Sequence, residues 1–296
     1  MSQFLILGAG PLGQATATAL LELGHTVLVG TRSGTKVPGT TTLTIDASDP
    51  DALTKAATDC EAMVVCTNPT YHKWATEWPP IIDSAIVAAR KTGCRIVLAG
   101  NLYAFGPNSG VMSEQTPQQP LETKGKVRAQ LWEMLEAASK EYGIAVAELR
   151  ASDYFGPNAG NNAHLGDRFM KPVRNGATAR IIGDPNAPHS WSYIPDIGQC
   201  LAILATQPEL SGRFWVGPKS GDASMREIAA SLNAKAKVKQ LAKALLWILS
   251  LFSPTLREVF AIRYQFTEPF ILDDSELRRE FNFTPTPLKE ALQKSF

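Results

Sequence analysis

The chain is short of several things that would point to particular function classes. It holds four cysteines in 296 residues, Cys60, Cys66, Cys94 and Cys200, and no two of them form a C-x-x-C pair. They lie far apart, three of them in or beside apolar runs, so they read as reduced core or near-core thiols of a cytoplasmic protein. No metal site is expected. Neither sign of charge dominates: 29 basic residues face 28 acidic ones, for a net charge of +1. That balance gives no reason to expect nucleic acid or an anionic membrane as a partner. No apolar run approaches the roughly 18 residues a membrane helix needs, so no integral membrane segment is expected. The opening apolar run is only a strand long and has no basic stretch ahead of it, so a secretory signal is not expected either. There is no internal repeat and no low-complexity segment.

What is present is a globular composition, 44% hydrophobic and 19% charged. The length suits one large α/β domain, or a nucleotide domain with a smaller partner. Near the beginning, Phe4-Leu5-Ile6-Leu7 runs into Gly8-Ala9-Gly10-Pro11-Leu12-Gly13, and a helical pattern follows. In a G-x-G-x-x-G turn the first glycine allows a tight exit from the strand. The second lets the backbone approach a pyrophosphate, and the third lets the helix pack on the sheet. The bare N–H groups and positive dipole end of the helix would then face phosphate. Glycine-rich turns are common, and an ordinary strand–turn–helix corner is the bland alternative. Placement between a strand and a helix favours a dinucleotide site through Gly8, Gly10, Pro11, Leu12 and Gly13.

A second strand is expected over 25–30, followed by Thr31-Arg32-Ser33. Sites that prefer NAD usually end this strand with Asp or Glu, to bind the ribose 2′-OH. None occurs between Val27 and Lys36. Thr31, Arg32, Ser33 and Lys36 offer hydroxyls and two cations instead, which suits a 2′-phosphate and therefore NADP(H). Arg32 as a plain surface arginine is the alternative.

Further strands are expected over 42–46, 62–66, 95–99 and 144–149, with helices over 50–58, 80–92 and 122–142 between them. This alternation implies an α/β fold, a Rossmann-type doubly wound parallel sheet. Thr67 and Asn68 follow a strand end and could line the cofactor; Asn-Pro is also a good turn starter. The loop with Tyr71, His72, Trp74 and Trp78 suggests a pocket wall or lid, or edge-of-core packing.

Beyond residue 150 short elements are expected: a helix over 166–174, strands over 179–182, 191–193 and 212–216, a helix over 195–206 and a mainly helical tail. The expected division is 1–157 with 191–216 as the NADP-binding domain, and 158–190 with 217–296 as a smaller, mostly helical C-terminal substrate domain. The apolar segment 241–252 reads as a buried helix, with a substrate wall, a dimer contact or a membrane-surface patch as alternatives.

With these residues in view, the chain resembles the short-chain dehydrogenase/reductase superfamily, above all its extended and atypical branch, which includes sugar-nucleotide epimerases and dehydratases. The marks are the Gly8–Gly13 turn, Asp46, Phe105-Gly106, Arg150-Ala151-Ser152-Asp153-Tyr154-Phe155-Gly156-Pro157 and His189-Ser190-Trp191-Ser192-Tyr193-Ile194-Pro195-Asp196-Ile197. The resemblance implies that Asp46 lies near adenine and that Ala151, Ser152 and Tyr154 line the cofactor. It also exposes a departure. The family's proton-transfer device is Tyr-x-x-x-Lys on the long helix, with Ser or Thr at the end of the preceding strand. Here Lys124 and Arg128 occupy the Tyr and Lys positions, and Asn101 the Ser/Thr position. Arg128 could still bind ribose hydroxyls. Lys124, with its pKa pushed down by Arg128, could donate a proton or steady an oxyanion, and Tyr103 is a second candidate acid. Lys124 and Arg128 as solvated charges or cofactor phosphate contacts is the alternative.

The expected function is an NADP(H)-dependent oxidoreductase acting on a carbonyl-type small molecule, with a homodimer left open. Two rivals stand beside it: a sugar-nucleotide epimerase or dehydratase, and a non-catalytic NADP-sensing regulator.

Overall fold

The computed structural model describes all 296 residues except 161, 162, 243–246, 248–250 and 296. The central sheet is built from strands that are apolar on both faces. In β1 (Gln3–Leu7), Leu5 and Leu7 enter one buried cluster while Phe4 and Ile6 enter another on the opposite face. A strand buried on both sides belongs inside a parallel sheet covered by helices on both faces. Six partners join it: β2 (Thr26–Thr31), β3 (Thr41–Thr44), β4 (Cys60–Val65), β5 (Arg95–Asn101), β7 (Val146–Ala151) and β11 (Arg213–Val216). Their order is β11-β7-β5-β4-β1-β2-β3, and every pairing is parallel. The chain leaves β1 toward β2 on one side and later returns to β4 on the other. That reversal opens a crevice at the carboxyl ends of β1 and β4, where open α/β sheets bind ligands.

On the Leu5/Leu7 face pack α2 (Pro50–Ala57), α3 (Trp74–Thr92) and α4 (Thr123–Tyr142); on the other face pack α1 (Pro11–Glu22) and α6 (Ile194–Thr206). Asp49 caps α2 by accepting from the backbone N–H groups of Asp51 and Ala52. Glu122 caps α4 through Gly125, and Gly143 ends it in the left-handed region. The third helix starts earlier than the expected residue 80. Its first turns carry Trp74 and Trp78, both fully buried, and Pro79 and Pro80 lie inside it. Burial of two indoles holds those turns despite the backbone bonds the prolines remove.

A third apolar cluster, with Phe155, Phe169, Trp191 and Ile228, lies outside the sheet. It is framed by β8 (Tyr154–Phe155), α5 (Asp167–Arg174), β9 (Thr178–Ile181), β10 (His189–Tyr193), β12 (Gly221–Ala223), α7 (Met225–Leu232) and β13 (Lys237–Gln240). The tail continues through α8 (Pro254–Ala261), α9 (Tyr264–Thr267), β14 (Ile271–Leu272), α10 (Ser275–Glu280) and α11 (Leu288–Lys294). It is less purely helical than expected, because β13 pairs with β9 and β14 pairs with β6 (Val111–Met112). Strands this short show no readable alternation. Most of the apolar segment 241–252 lies outside the described residues; of its described side chains, Trp247, Leu251 and Phe252 are exposed. All four cysteines are free, and no helix among the described residues is long and apolar enough to cross a membrane.

Candidate functional site

The turn between β1 and α1 has the geometry its glycines suggest. Gly8 sits at φ +107°, in a region side chains avoid, and its N–H donates to Gly30 O at 2.9 Å. A Cβ on Gly13 would meet Gly8 O at 2.0 Å, so only glycine lets α1 come this close to the turn. A Cβ on Gly10 would meet nothing within 4 Å, because that position faces open space. No side chain caps the start of α1, and no acid lies in its first turn. Its free N–H groups and positive end are left for an anion.

Two clefts meet at this turn. The first, of about 530 Å³, is lined by Gly8, Gly30, Thr31, Arg32, Ser33, Asp46 and Thr67, with Thr76 and Pro80 across it. Arg32 is exposed at the rim. Asp46 accepts from the Ser48 N–H at 2.9 Å and its hydroxyl at 2.7 Å. These bonds, with a smaller contribution from the Arg32 charge, hold its carboxyl below the ordinary value despite some burial. Lys36 is not part of this wall.

The second cleft, of about 370 Å³, runs from Gly8, Gly10, Pro11 and Leu12 past Thr67 and Asn68. It continues to Asn101, Tyr103, Arg128, Ala151, Ser152, Asp153 and Tyr154. Asn101 ends β5 and its Oδ1 accepts from the Tyr103 N–H at 3.2 Å. Its amide N–H₂ is thereby left as a donor. The Tyr103 hydroxyl lies 3.2 Å from that of Tyr71. Burial, then the neighbouring Tyr71 and Asp153, pushes the Tyr103 phenol well above its ordinary value, so at neutral pH it keeps its proton. Arg128 is held between the Trp74 and Trp78 rings, 4.6 and 4.5 Å from their centroids, and donates to Ala99 O at 3.3 Å. Burial draws it down to about 10 against the opposing charge of Glu148, and it stays cationic at neutral pH. Its buried Nε has no partner among the described residues. Glu148 lies beneath this site: a Cβ on Gly100 would sit 2.2 Å from its Oε1. Its Oε2 accepts from Arg150 Nε at 2.8 Å.

This geometry agrees with the comparisons with known proteins. The model of the NAD dependent epimerase/dehydratase family matches residues 4–217, which span the whole sheet. The chain belongs to that family. No curated protein sequence matches it. Among solved structures, UDP-glucose 4-epimerase from Thermotoga maritima, with UDP-glucose, has a TM-score of 0.81 at 16% identity, covering 99% of this chain and 97% of that one. UDP-N-acetylglucosamine 4-epimerase from Bacillus cereus gives 0.78 at 16% identity over 99% and 94%. The dTDP-glucose 4,6-dehydratase from Bacillus anthracis, in complex with NAD, gives 0.79 at 12% identity over 100% and 95%. Identities this low show a shared fold.

For an NAD-dependent epimerase/dehydratase family member, the placement of the long-helix residues is informative. Arg128 faces the second cleft, but Lys124, one turn earlier, does not line it. Lys124 is fully buried, and its ammonium donates to Glu258 O at 2.8 Å and Glu258 Oε2 at 2.7 Å. The lysine expected as a proton donor is thus spent on tying α8 to the start of α4. Gly13 also lies behind the clefts, at the helix–turn contact. Apart from Lys36, the other expected residues fall on one wall or the other.

The second cleft also draws on residues outside the expected catalytic and cofactor-binding set. Tyr71 and Trp74 line it, as the aromatic loop hinted, and so do Asp153 and Gln265. Asp153 Oδ2 pairs with His189 Nε2 at 3.0 Å. Asp153 and His189 stand in the two motif-like strings quoted above, so their presence was visible, but their pairing across 36 positions was not.

Proposed function

We propose that this protein binds NADP(H) across the two clefts and moves a hydride to or from a carbon bearing a hydroxyl or carbonyl oxygen. The observation that carries the reading is the pairing of walls at one glycine turn. A rim with Arg32, and no acid at the end of β2, stands on one side; a donor set of Asn101, Tyr103 and Arg128 stands on the other. The dinucleotide, when bound, supplies the hydride or accepts it. The open position at Gly10 and the uncapped α1 N-terminus fit its pyrophosphate. Thr31, Arg32 and Ser33 suit a 2′-phosphate, Asp46 the adenine side, and Arg128 the nicotinamide ribose. Thr67, Asn68, Ala151, Ser152 and Tyr154 would complete the walls around it.

Family membership favours epimerase- or dehydratase-type turnover, in which the hydride is taken and returned, on a sugar nucleotide such as the UDP-glucose of the Thermotoga neighbour. A second reading, net reduction of a carbonyl on a small molecule, is favoured by Tyr103. A phenol that burial keeps protonated is suited to give a proton to an oxygen that has just become an alkoxide. A fold with this cradle and no turnover would be a cofactor sensor.

The test is to incubate purified protein with cofactor and two panels. Sugar nucleotides rearranged or dehydrated with no net change in nicotinamide absorbance support the first reading. Consumption of NADPH by carbonyl compounds supports the second. Tight cofactor binding with neither outcome overturns both in favour of the sensor. The cofactor assignment has its own check. Arg32→Glu should weaken NADP(H) about a hundredfold, as expected for a lost charge-assisted phosphate contact, and change NAD(H) affinity by no more than about threefold. Unchanged NADP(H) affinity by calorimetry would remove Arg32 from the site.

A further inference from the structure

One wall of the second cleft has an unusual chemical bias. Asp153 Oδ2 is held by His189 Nε2 at 3.0 Å, and His189 is itself fixed, with Nδ1 3.2 Å from Gln265 O and its ring stacked on Phe270 at 5.1 Å. The other carboxylate oxygen, Oδ1, has no partner among the described residues, and the side chain keeps 21% of its surface. Burial alone would raise this carboxyl. The hydrogen bond with His189 is the largest opposing effect, and the group ends below its ordinary value. It is therefore an anion.

Gln265 is fully buried. Its Nε2 donates to Ile262 O at 3.2 Å, which leaves Oε1 as the free end, and that atom has no partner. Ser152, 6% exposed, has an equally unpartnered Oγ. All three residues line the same cleft. A buried acceptor without a donor costs about 1–3 kcal/mol, and Gln265 Oε1 beside an anion asks for a ligand that donates, from which the Ser152 hydroxyl can also accept. The cations nearby do not answer: Arg128 lies between two indoles and Lys124 is taken by Glu258.

We infer that Asp153 and Gln265, with Ser152, form an acceptor corner that selects a substrate presenting hydroxyl or ammonium donors beside its reacting carbon. It would disfavour phosphate or carboxylate at that position. On a sugar nucleotide the corner would meet sugar hydroxyls, with the diphosphate placed elsewhere. The inference rests on the hydride-transfer reading for what the cleft is for, but its test reads binding.

Dissociation constants of four probes, hydroxyacetone, aminoacetone, butanone and pyruvate, are measured by calorimetry on the NADP⁺-loaded protein and on the protein alone. Hydroxyacetone or aminoacetone should bind about tenfold more tightly than butanone, with pyruvate the weakest; the better of the first two tells a hydroxyl from an ammonium preference. Asp153→Asn should abolish most of that advantage and admit pyruvate, and Gln265→Leu should lose part of it, with NADP⁺ affinity kept in both. Butanone binding as well as hydroxyacetone overturns the inference. So does an unchanged ranking in both variants, or no binding of either donor probe. In a parallel assay with NADPH as the hydride donor, binding of hydroxyacetone with no hydride transfer to it would defeat the hydride-transfer reading and leave the corner standing. Equal hydride transfer from NADPH to butanone and hydroxyacetone would do the reverse.

Discussion

The cofactor cradle and the acceptor corner line one crevice, and they are made differently. The cradle is backbone: a strand, three glycines and a helix N-terminus within eleven consecutive residues, with Arg32 and Asp46 added from the next two strands. The corner is side chains from distant elements. Asp153 follows β7, His189 opens β10 and Gln265 lies in α9. Backbone cradles depend on the absence of Cβ atoms, and they fail when one is added. Side-chain corners depend on partners being present, and they fail when one is removed.

The largest expected effect breaks the cradle. Gly13→Val would place branched carbons against Gly8 O, which already lies 2.0 Å from an ideal Cβ. Backbone rather than a flexible side chain stands in the way, so the turn or the helix must shift. Stability should fall by about 4 kcal/mol or more, at the far end of the range for overpacking, and dinucleotide binding should disappear. A denaturant midpoint and NADP⁺ affinity both near the unmodified protein's would show that close approach at this glycine is unimportant.

The same contrast explains what the sequence made legible. The cradle was readable because its determinants are neighbours in the chain and glycine has few reasons to recur at that spacing. The parallel sheet was readable because its strands are continuously apolar and alternate with helices. The start of α3 was misplaced because proline is read as a helix boundary, while the force that extends the helix, burial of Trp74 and Trp78, comes from residues far away in the chain. Lys124 was legible as a position but not as a role. Its partner Glu258 lies 134 residues onward, in a tail helix whose docking no local pattern announces. Asp153 and His189 were quoted as parts of motifs, yet neither string says that the two side chains meet.

A second perturbation, smaller in effect, tests whether Lys124 belongs to the tail's anchorage or to the chemistry. Lys124→Met leaves Glu258 without its cation. Removing one partner of a buried pair costs about 3–5 kcal/mol, and Glu258, 24% exposed, keeps some access to water. A loss of about 3 kcal/mol is expected in urea unfolding, with NADP⁺ affinity unchanged. Glu258→Gln should lose less, since the ammonium retains the Glu258 carbonyl. If Lys124→Met left stability intact and removed turnover, the lysine would return to the catalytic side of the comparison.

The smallest effect concerns pH and sharpens what lies behind the acceptor corner. His164 stacks on Phe266 with ring centroids 3.7 Å apart, and its buried Nε2 has no partner. Burial pulls it from an ordinary 6.5 down to about 4, against the attraction of Asp153. In the unfolded chain this ring takes up a proton as pH falls through 6.5, whereas in the folded protein it stays neutral until about 4. Between those values the unfolded state binds more protons, so stability declines as pH falls. The His164 contribution to that decline has a slope of about 1.4 kcal/mol per pH unit within the window. Asp153 acts at lower pH, because a carboxyl held below its ordinary value stabilises the fold above that value and ceases to do so as it protonates. His164→Phe, which keeps a ring against Phe266 and removes the titration, should flatten the stability profile between pH 6.5 and 4 while leaving the acid limb from Asp153 in place. Urea midpoints at half-unit intervals would separate the two limbs. An identical slope in the variant would mean that His164 is open to water in solution, and that the corner is wetter than its packing indicates.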